Sequence, residues 1–352
     1  MTVEERIEAF AKLGEFLTQF QPDGIVKNEK VSLNDMFFDP FKLQVSRASE
    51  YNGWFTKENV LTAFSRWGKI LNSSNIEVWT SSYSLNKVKP KKVGVVMAGN
   101  IPLVGFHDFL SVLISGHSIM VKQSSADNKF LPLIAKYLEY VAPGFKGKIN
   151  FTEDKLENID AVIATGSNNT ARYFDYYFGK FPNIIRRNRN SAAVLSGTES
   201  ELELRSLGED IFRYFGLGCR SVSKLFVPEG YDFDPLFKAL YEYRDVLNYE
   251  KYVNNYDYNK AVYLMSDFKL LENGFLMFKE DKSYSSPIAT VFYEYYTDDA
   301  QLEQKLLEDK EMIQCLVGNS EKSGMVPFGQ TQKPELSDYA DGIDTLAFLE
   351  SL

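Results

Sequence analysis

The sequence is poor in the residues that build disulfide frameworks and metal centres. Its 352 residues include two cysteines, Cys219 and Cys315, and two histidines, His107 and His117. Two cysteines are too few for a disulfide framework and fit a reducing compartment, so we expect a cytoplasmic protein. Neither histidine has a cysteine or carboxylate cluster at ligand spacing, and the sequence therefore predicts no metal site.

Long apolar runs and an excess of basic residues are also missing. No stretch is apolar for long enough to span a membrane, and the amphipathic start of the chain lacks the uninterrupted apolar core of a signal peptide. The formal net charge of −9 argues against a general nucleic-acid binder, which needs a basic footprint. The G-x-G-x-x-G pattern is absent too, which argues against an ordinary dinucleotide-binding Rossmann motif.

Short apolar runs alternate with helical patterns after Pro90, whereas the segment from Met1 to about Asn86 is helical in pattern and carries no catalytic constellation. Strands are predicted over 93–98, 118–122, 160–164, 184–185 and 192–195, and helices over 103–115, 131–141 and 169–178. This alternation predicts a parallel sheet with helices on both faces. Ligands bind at the carboxyl ends of such strands. The residues there are small, polar or cationic: Gly99, Asn100, Lys122, Ser124, Ser125, Gly166 and Ser167.

Two of these positions have both a binding and a structural interpretation. Gly166-Ser167 opens a helix, whose N-terminal N–H groups and dipole favour an anion. Serine is equally favoured there as a simple N-cap. Lys122 stands at a strand end and could donate to ribose or phosphate oxygens, or it could be a solvated surface lysine.

Cys219 follows two glycines in Phe215-Gly216-Leu217-Gly218-Cys219-Arg220. A helical pattern over 201–214 precedes this turn, and a strand pattern over 224–228 follows it. The glycines leave the backbone bare, so a substrate could approach the sulfur, as a covalent enzyme requires. The alternative is a small buried hydrophobe. Cys315 lies in an apolar run, and we expect it to be buried and inert.

Five sequence blocks, over roughly residues 90 to 345, resemble the aldehyde dehydrogenase superfamily and follow its order. They are Ala98-Gly99-Asn100-Ile101-Pro102-Leu103, Val121-Lys122-Gln123-Ser124-Ser125, Ala164-Thr165-Gly166-Ser167, Gly216-Leu217-Gly218-Cys219 with the strand after it, and Pro327-Phe328-Gly329. Within the superfamily, the Gly-Asn-Ile-Pro opening and the Gly-x-Gly-Cys-Arg-Ser turn look most like those of LuxC-type acyl-CoA (fatty acyl) reductases.

The resemblance implies an α/β fold of two Rossmann-like domains with parallel-rich sheets and the active site between them. A nucleotide-binding domain is expected over 1–190, with 326–352 returning to it, and a catalytic domain over 191–325. Cys219 would be the nucleophile, and the Asn100 amide would help to hold the oxyanion. A nicotinamide cofactor would be bound by Lys122, Ser124, Ser125, Gly166 and Ser167.

Three departures from the superfamily pattern refine this expectation. Arginines (Arg186, Arg187 and Arg189) stand where hydrolytic relatives carry a glutamate base, so a Cys219 thioester would escape hydrolysis and could accept hydride. These arginines could form a solvated strand edge or contact phosphate. Ser125 replaces a glutamate that would repel a 2′-phosphate, so NADPH is the expected cofactor, with NADH as the alternative. The block 283–288 lacks the ribose-binding glutamate.

The expected reaction is therefore reduction of a fatty acyl thioester to a fatty aldehyde. The acyl donor would be a fatty acyl-CoA or an acylated partner enzyme such as an acyl-protein synthetase, and the resemblance also implies an oligomer. His107 could act as a general acid, although a structural role, in the packing of its helix on the sheet, explains this histidine better. Alternatives are an acyl-phosphate reductase, another CoA-acylating aldehyde dehydrogenase, and a non-catalytic scaffold in a lipid-synthesis complex. An apolar acyl chain is favoured by seven aromatic residues: Phe226, Phe233, Phe237, Tyr241, Tyr243, Phe275 and Phe278.

Overall fold

The structure, a computed structural model, describes residues 1–266, 268–319 and 324–352. The chain forms two compact units. Unit 1 comprises Met1–Arg187 and Glu335–Leu352, and unit 2 comprises Asn188–Pro334. Residues 326–334, which the sequence analysis assigned to the returning segment, therefore belong to unit 2.

Unit 1 begins with a helical layer, in keeping with the apolar spacing of its first residues. Its first helix starts at a capping box, in which Thr2 and Glu5 each accept a hydrogen bond from the backbone N–H of the other. The apolar faces of the first and third helices are buried in one core. The helices of unit 1 are α1 (Val3–Leu17), α2 (Asn34–Tyr51), α3 (Lys57–Ile70), α4 (Ser73–Thr80), α5 (Phe106–Ile114), α6 (Phe130–Val141), α7 (Asn168–Phe178) and, after the return of the chain, α12 (Thr345–Glu350).

The main sheet of unit 1 is wholly parallel. Two short strands, β1 and β2, form a separate antiparallel hairpin. The strands are β1 (Phe20–Gln21), β2 (Gly24–Ile25), β3 (Lys92–Val96), β4 (Ser118–Lys122), β5 (Ile149–Phe151), β6 (Ala161–Thr165) and β7 (Asn183–Arg186). Their order in the main sheet is β5-β4-β3-β6-β7, and every neighbouring pair is parallel. The chain steps outward from β3 to β5 and then crosses to the other side, so the switch point lies between β3 and β6.

The alternation of strands and helices predicted after Pro90 agrees with the elements of unit 1, with two differences. Strand β5 was not predicted, because its three residues give too short an apolar run. The helix after β3 begins at Phe106 instead of Leu103. Leu103 adopts a left-handed conformation (φ 58°), which a right-handed helix cannot include.

The described residues of unit 2 form a sheet of six strands, and among these only the edge strand β10 runs antiparallel to its neighbour. Its elements are β8 (Asn190–Val194), α8 (Glu201–Phe212), β9 (Val222–Pro228), α9 (Asp234–Leu240), α10 (Glu250–Met265), β10 (Leu270–Glu272), β11 (Met277–Glu280), β12 (Thr290–Tyr296), α11 (Asp299–Glu308) and β13 (Ile313–Val317). The strand order is β10-β11-β12-β9-β8-β13, with the other pairs parallel. Both units are thus α/β with parallel-rich sheets, which confirms the predicted fold class.

Within the described ranges, no helix combines the length and the apolar character that crossing a bilayer requires.

A buried ion pair links three elements of unit 1. Arg186, at the end of β7, donates to the Asp108 carboxylate of α5 at 2.5 Å and to the Thr345 hydroxyl of α12 at 3.0 Å. Both charged side chains are buried. Arg186 therefore neither belongs to a solvated strand edge nor faces a phosphate, because Asp108 and Thr345 hold its side chain away from solvent. Arg187 is exposed and pairs with Asp175 at 3.0 Å.

Because the pair is buried, removing one partner should cost far more than removing both. We expect Asp108→Ala to lower the free energy of unfolding by about 3–5 kcal/mol, since it leaves the Arg186 charge buried without its carboxylate. The double variant Asp108→Leu/Arg186→Met should recover most of that loss. Urea denaturation of the wild type and both variants measures the difference, and equal losses in the two variants would contradict it.

Candidate functional site

The carboxyl ends of three adjacent strands bring the predicted cofactor residues to one edge of unit 1. Val96 of β3 pairs with Lys122 of β4 on one side and with Ala164 of β6 on the other. The loops that leave these strands must therefore start at the same level of the sheet. This edge, which we call the carboxyl edge, carries Gly99, Asn100, Lys122, Ser124, Ser125, Gly166 and Ser167.

The β3 and β4 loops pack closely against each other at Gly99. A Cβ at Gly99 would lie 2.6 Å from the Ser124 Cβ and 3.2 Å from the Asp127 backbone N, so a larger residue would displace the β4 loop. Ser124 in turn accepts a hydrogen bond from the Ala126 N–H at 3.2 Å. The requirement for glycine thus comes from packing of one loop on the other.

Asp127 pins the loop that carries Asn100. Its carboxylate accepts from the backbone N–H of Leu103 at 2.8 Å, at the residue with left-handed backbone. Burial raises the pKa of Asp127 to about 6, against the lowering effect of that hydrogen bond. Asn100 itself is exposed at this edge.

The remaining cofactor candidates include a capped helix and a lysine with a partner. Ser167 is the N-cap of α7 and accepts from the Thr170 N–H at 3.3 Å, so the capping interpretation is correct as far as the protein's own bonds go. Lys122 is half-buried and donates to the Asp154 carbonyl at 3.0 Å. Ser125 is exposed. Their predicted contacts with a nucleotide stay predictions.

Both histidines have structural surroundings. His107 hydrogen-bonds the Leu336 carbonyl through Nε2 at 2.9 Å and packs among aromatic rings. His117 accepts the Lys91 N–H at Nδ1, so its Nε2 carries the proton and donates to the Leu349 carbonyl at 2.9 Å. Burial lowers the pKa of each, which favours the neutral ring.

Cys219 lies on a turn at the amino edge of the unit 2 sheet, just before β9. Its side chain is exposed, unlike that of Cys315, which is buried in β13 as predicted. The hydroxyl of Ser191 donates to the Cys219 carbonyl at 3.0 Å, and the Ser221 N–H donates to the Gly218 carbonyl at 3.0 Å. The thiol is therefore accessible on a backbone that is fixed from both sides.

The residues that lead into this turn are strained. Tyr214 and Phe215 adopt left-handed conformations (φ 55° and 57°), followed by Gly216 at 74°. Such a conformation costs roughly 1–2 kcal/mol for each non-glycine residue. It persists because both aromatic rings are buried, with Phe215 edge-on to Tyr249 at 4.9 Å between ring centroids. Strain of this kind clusters at functional sites, where surrounding packing enforces it.

A buried carboxylate ties the segment after Gly324 to the cysteine turn. Asp210 of α8 accepts from the Gly329 N–H at 2.6 Å and from the Thr331 N–H and hydroxyl at 3.0 and 2.8 Å. Burial raises the pKa of Asp210, although these three hydrogen bonds oppose the rise. Arg220, next to the cysteine, donates to the Thr331 carbonyl. The predicted Pro-Phe-Gly block is therefore held on α8, and Thr331 just after it is bonded to Arg220, the sequence neighbour of Cys219, within unit 2.

The block 283–288 also reaches this region. The Ser223 hydroxyl of β9 donates to the Tyr284 carbonyl at 2.6 Å. A cavity of about 20 Å³, room for about one water molecule, lies between Ser286–Val291 and the turn residues Phe215 and Gly216. Three segments distant in sequence thus converge on the cysteine turn.

The aromatic residues expected to line an acyl channel mostly fill the core of unit 2. Phe226, Phe275 and Phe278 have at most 1% of their surface exposed. Phe233 and Phe237 each pack on the Phe278 ring. Core packing accounts for these five phenylalanines, whereas Tyr241 is exposed and Tyr243 is half-buried.

Asp127 and Asp210 were missed by the sequence analysis. Each is an acidic residue within ten positions of a predicted site residue, but the sequence contains many carboxylates, and nothing local marks these two as buried. Among the described residues, no group of three or more His, Cys, Asp or Glu is arranged to hold a metal ion.

No protein-family model matches the chain, and no curated protein does. Solved structures do. Aldehyde dehydrogenase 21 from Physcomitrella patens, in complex with the reaction product succinate, aligns over 100% of this chain and 84% of its own, with 12% identity and a TM-score of 0.67. A mutant of aldehyde dehydrogenase C from Pseudomonas syringae, complexed with NAD+ and octanal, aligns over 91% and 77%, with 10% identity and a TM-score of 0.61.

An NADP dependent enzyme from E. coli aligns over 96% of this chain and 84% of its own, with 13% identity and a TM-score of 0.61. The likeness shows that the chain has the aldehyde dehydrogenase fold, as its five sequence blocks predicted.

The raised pKa of Asp127 predicts a pH-dependent stability. The Asp127 carboxyl ionises near pH 4 in the unfolded chain and near pH 6 in the folded protein. The contribution of Asp127 to the free energy of unfolding should therefore decrease between these pH values and level off above pH 6. Asp127→Asn keeps an acceptor for Leu103 without a charge, and should be about 1–3 kcal/mol more stable than wild type at pH 7 but equal near pH 4. Urea denaturation from pH 4 to 8 measures this. A pH-independent difference would contradict it.

Proposed function

We propose that the protein reduces an acyl thioester to an aldehyde through a covalent intermediate on Cys219. The observation that carries this proposal is the exposed thiol of Cys219 on a turn held by Ser191, Arg220 and a strained aromatic segment. A structural cysteine of an α/β core would be buried, as Cys315 is. The aldehyde dehydrogenase fold adds support, since a nicotinamide-dependent oxidation or reduction of an aldehyde or acyl group suits it.

The first half-reaction is acyl transfer to the enzyme. The Cys219 thiolate attacks the acyl carbonyl carbon, a new carbon–sulfur bond forms, and the donor thiolate leaves and takes up a proton. The hydrogen bond from Ser191 to the Cys219 carbonyl keeps the peptide oriented while the oxyanion develops. The Cys219 N–H would donate to that oxyanion. The Asn100 amide as a second donor stays a prediction from the resemblance.

The second half-reaction reduces the enzyme-bound acyl group by two electrons. The resulting hemithioacetal loses its carbon–sulfur bond, and the aldehyde leaves as Cys219 regains its thiolate. Water must not intercept the thioester. The two carboxylates that most closely precede Cys219 in the chain are both engaged, because Glu209 pairs with Arg213 at 2.6 Å and Asp210 is buried among three donors. Neither is disposed to act as the base that hydrolysis needs.

The carboxyl edge of unit 1 fits a nicotinamide dinucleotide. It combines a parallel switch point, a glycine where two loops pack closely, an α7 N-terminus and the Lys122 ammonium. A dinucleotide bound there would supply the hydride. We propose NADPH, because Ser125 puts a hydroxyl where a carboxylate would repel the 2′-phosphate. Similar structures include an enzyme bound to NAD+ and one described as NADP dependent, so NADH is the alternative.

The acyl group that we propose is a fatty one, delivered as acyl-CoA or by an acylated partner enzyme to an oligomer of this chain. Its support is the resemblance to LuxC-type reductases. The fold itself is permissive, because similar structures contain succinate in one case and octanal in another.

Cys219 can be tested by trapping the intermediate. Cys219→Ala should abolish both covalent acylation by a fatty acyl-CoA and acyl-CoA-dependent oxidation of NADPH, since no nucleophile remains. Cys315→Ala is the matched control and should keep both, because Cys315 is buried in β13. Intact-protein mass spectrometry measures the acyl adduct, and absorbance measures NADPH across acyl chain lengths.

Acylation of Cys219→Ala at the wild-type level would disprove the mechanism. An absence of adduct and of NADPH oxidation in the wild type with every acyl donor would instead favour the non-catalytic scaffold.

Ser125→Glu tests the choice of cofactor. A carboxylate beside the 2′-phosphate should reduce the preference for NADPH over NADH by about ten- to a hundredfold in kcat/KM, through repulsion between like charges. Ser125→Ala is the control, because it removes the hydroxyl without adding charge, and should change the ratio far less. A wild type that already prefers NADH would contradict the role given to Ser125.

A further inference from the structure

A pocket of unit 1 lies at the end of its parallel sheet opposite the carboxyl edge. Strands β3, β4 and β5 begin there, at Lys92, Ser118 and Ile149. The pocket has a volume of about 460 Å³, within the range of small-molecule sites. We call it the amino-edge pocket; its lining includes Arg6, Leu85, Pro90, Gly116, His117 and Lys148. Because β3 and β4 are five residues long, it lies roughly 16 Å from the carboxyl edge.

Arg6 is the unusual residue of this pocket. Its side chain has 6% of its surface exposed, yet among the described residues it has no carboxylate within ion-pair distance. Within the part of the chain that the structure describes, its one side-chain hydrogen bond goes to the Leu85 carbonyl at 3.4 Å, and its buried Nε has no acceptor. Burial lowers the pKa of Arg6. A buried guanidinium normally has a paired anion and acceptors for most of its N–H groups.

The fold keeps Arg6 in place without satisfying it. The guanidinium lies over Gly116, where a Cβ would be 1.9 Å from Nη1, so only glycine leaves room for it. Gly116 follows the C-terminus of α5, whose dipole favours a cation. The carbonyls of Val112 and Leu113 already accept from the N–H groups of His117 and Gly116, and they do not serve as partners for Arg6.

Among the other polar groups around the pocket, Lys148 favours an anion, whereas Glu4 opposes one. Lys148 lines it and is half-buried. The start of α1 (the N-cap Thr2 with Val3 and Glu4) lines it too. A helix N-terminus favours negative charge, although the capping box already uses the N–H groups of Thr2 and Glu5. His117 is neutral and fully bonded. Glu4 contributes a carboxylate, but it is exposed. An oxyanion could therefore take the place of the missing counterion of Arg6.

We propose that the amino-edge pocket binds the phosphate group of a small molecule, with Arg6 and Lys148 as its cationic ligands. A guanidinium matches the oxygens of a phosphate through paired N–H donors, and an ammonium adds a point charge. The apolar lining, which includes Leu85 and Pro90, is suited to the rest of such a molecule. The site is separate from the carboxyl edge, so its occupant would not compete with a dinucleotide.

Calorimetric titration with inorganic pyrophosphate at constant ionic strength tests the proposal. With the carboxyl edge saturated by NADPH, the wild type should bind pyrophosphate at one saturable site. Arg6→Met should weaken that binding by about ten- to a hundredfold, the effect of losing a charge-assisted hydrogen bond. Lys148→Met should weaken it less. Lys146→Met is the matched control, because Lys146 is exposed and lies outside the lining, and should bind like the wild type.

Lys122→Met distinguishes the two edges of the sheet and should leave pyrophosphate binding unchanged. If Lys122→Met abolishes binding while Arg6→Met retains it, pyrophosphate occupies the carboxyl edge and the proposal is wrong. No saturable binding by the wild type would also overturn it. Acylation of Cys219 is unaffected by either result, so the proposed function is judged separately.

Thermal denaturation separates a ligand site from a structural arginine. In chloride buffer, Arg6→Met should melt at or above the wild-type temperature, because an apolar side chain replaces an uncompensated buried charge. Pyrophosphate should then raise the melting temperature of the wild type but not that of Arg6→Met. A melting temperature lowered equally in both buffers would make Arg6 a structural residue and overturn the proposal.

Discussion

Parallel pairing of β3 on both of its edges is the constraint on which unit 1 depends. A central parallel strand cannot be joined to its neighbours by tight turns, so every connection must cross a face of the sheet as a helix or long loop. The crossings bury both faces and leave only the two edges of the sheet open to ligands. The carboxyl edge and the amino-edge pocket are consequences of one topology, and they differ in which ends of helices and strands they present.

Unit 2 uses a different device around Cys219. The turn is too irregular for backbone pairing to fix it, so side chains take over that task. A carboxylate from α8, a guanidinium from the turn and a hydroxyl from β8 each bond to a backbone group. A reactive residue needs an exposed side chain on an immobile backbone, and these bonds reconcile the two requirements.

The sequence predicted the elements better than the contacts. The alternation of apolar runs located β3, β4 and β6, because their period and bounding glycines are local signals. The burial of Asp108 with Arg186, and of Asp210 with residues 329–331, could not be predicted, since each depends on chain segments distant in sequence. The packing of the five phenylalanines among the seven aromatic residues could not be predicted for the same reason. Composition gives their number, but whether a ring fills a core or lines a channel is decided by packing.

The return of the chain to unit 1 has a consequence for biosynthesis. Helix α12 supplies Leu346 and Leu349, both fully buried, and the Thr345 hydroxyl that Arg186 contacts. The whole of unit 2 is translated between β7 and this helix, an interval of roughly ten to thirty seconds at ordinary elongation rates. Throughout that interval the nascent chain must keep an apolar groove and a partly satisfied ion pair open. Until α12 docks, the nascent chain therefore exposes apolar surface of unit 1 that the folded protein buries.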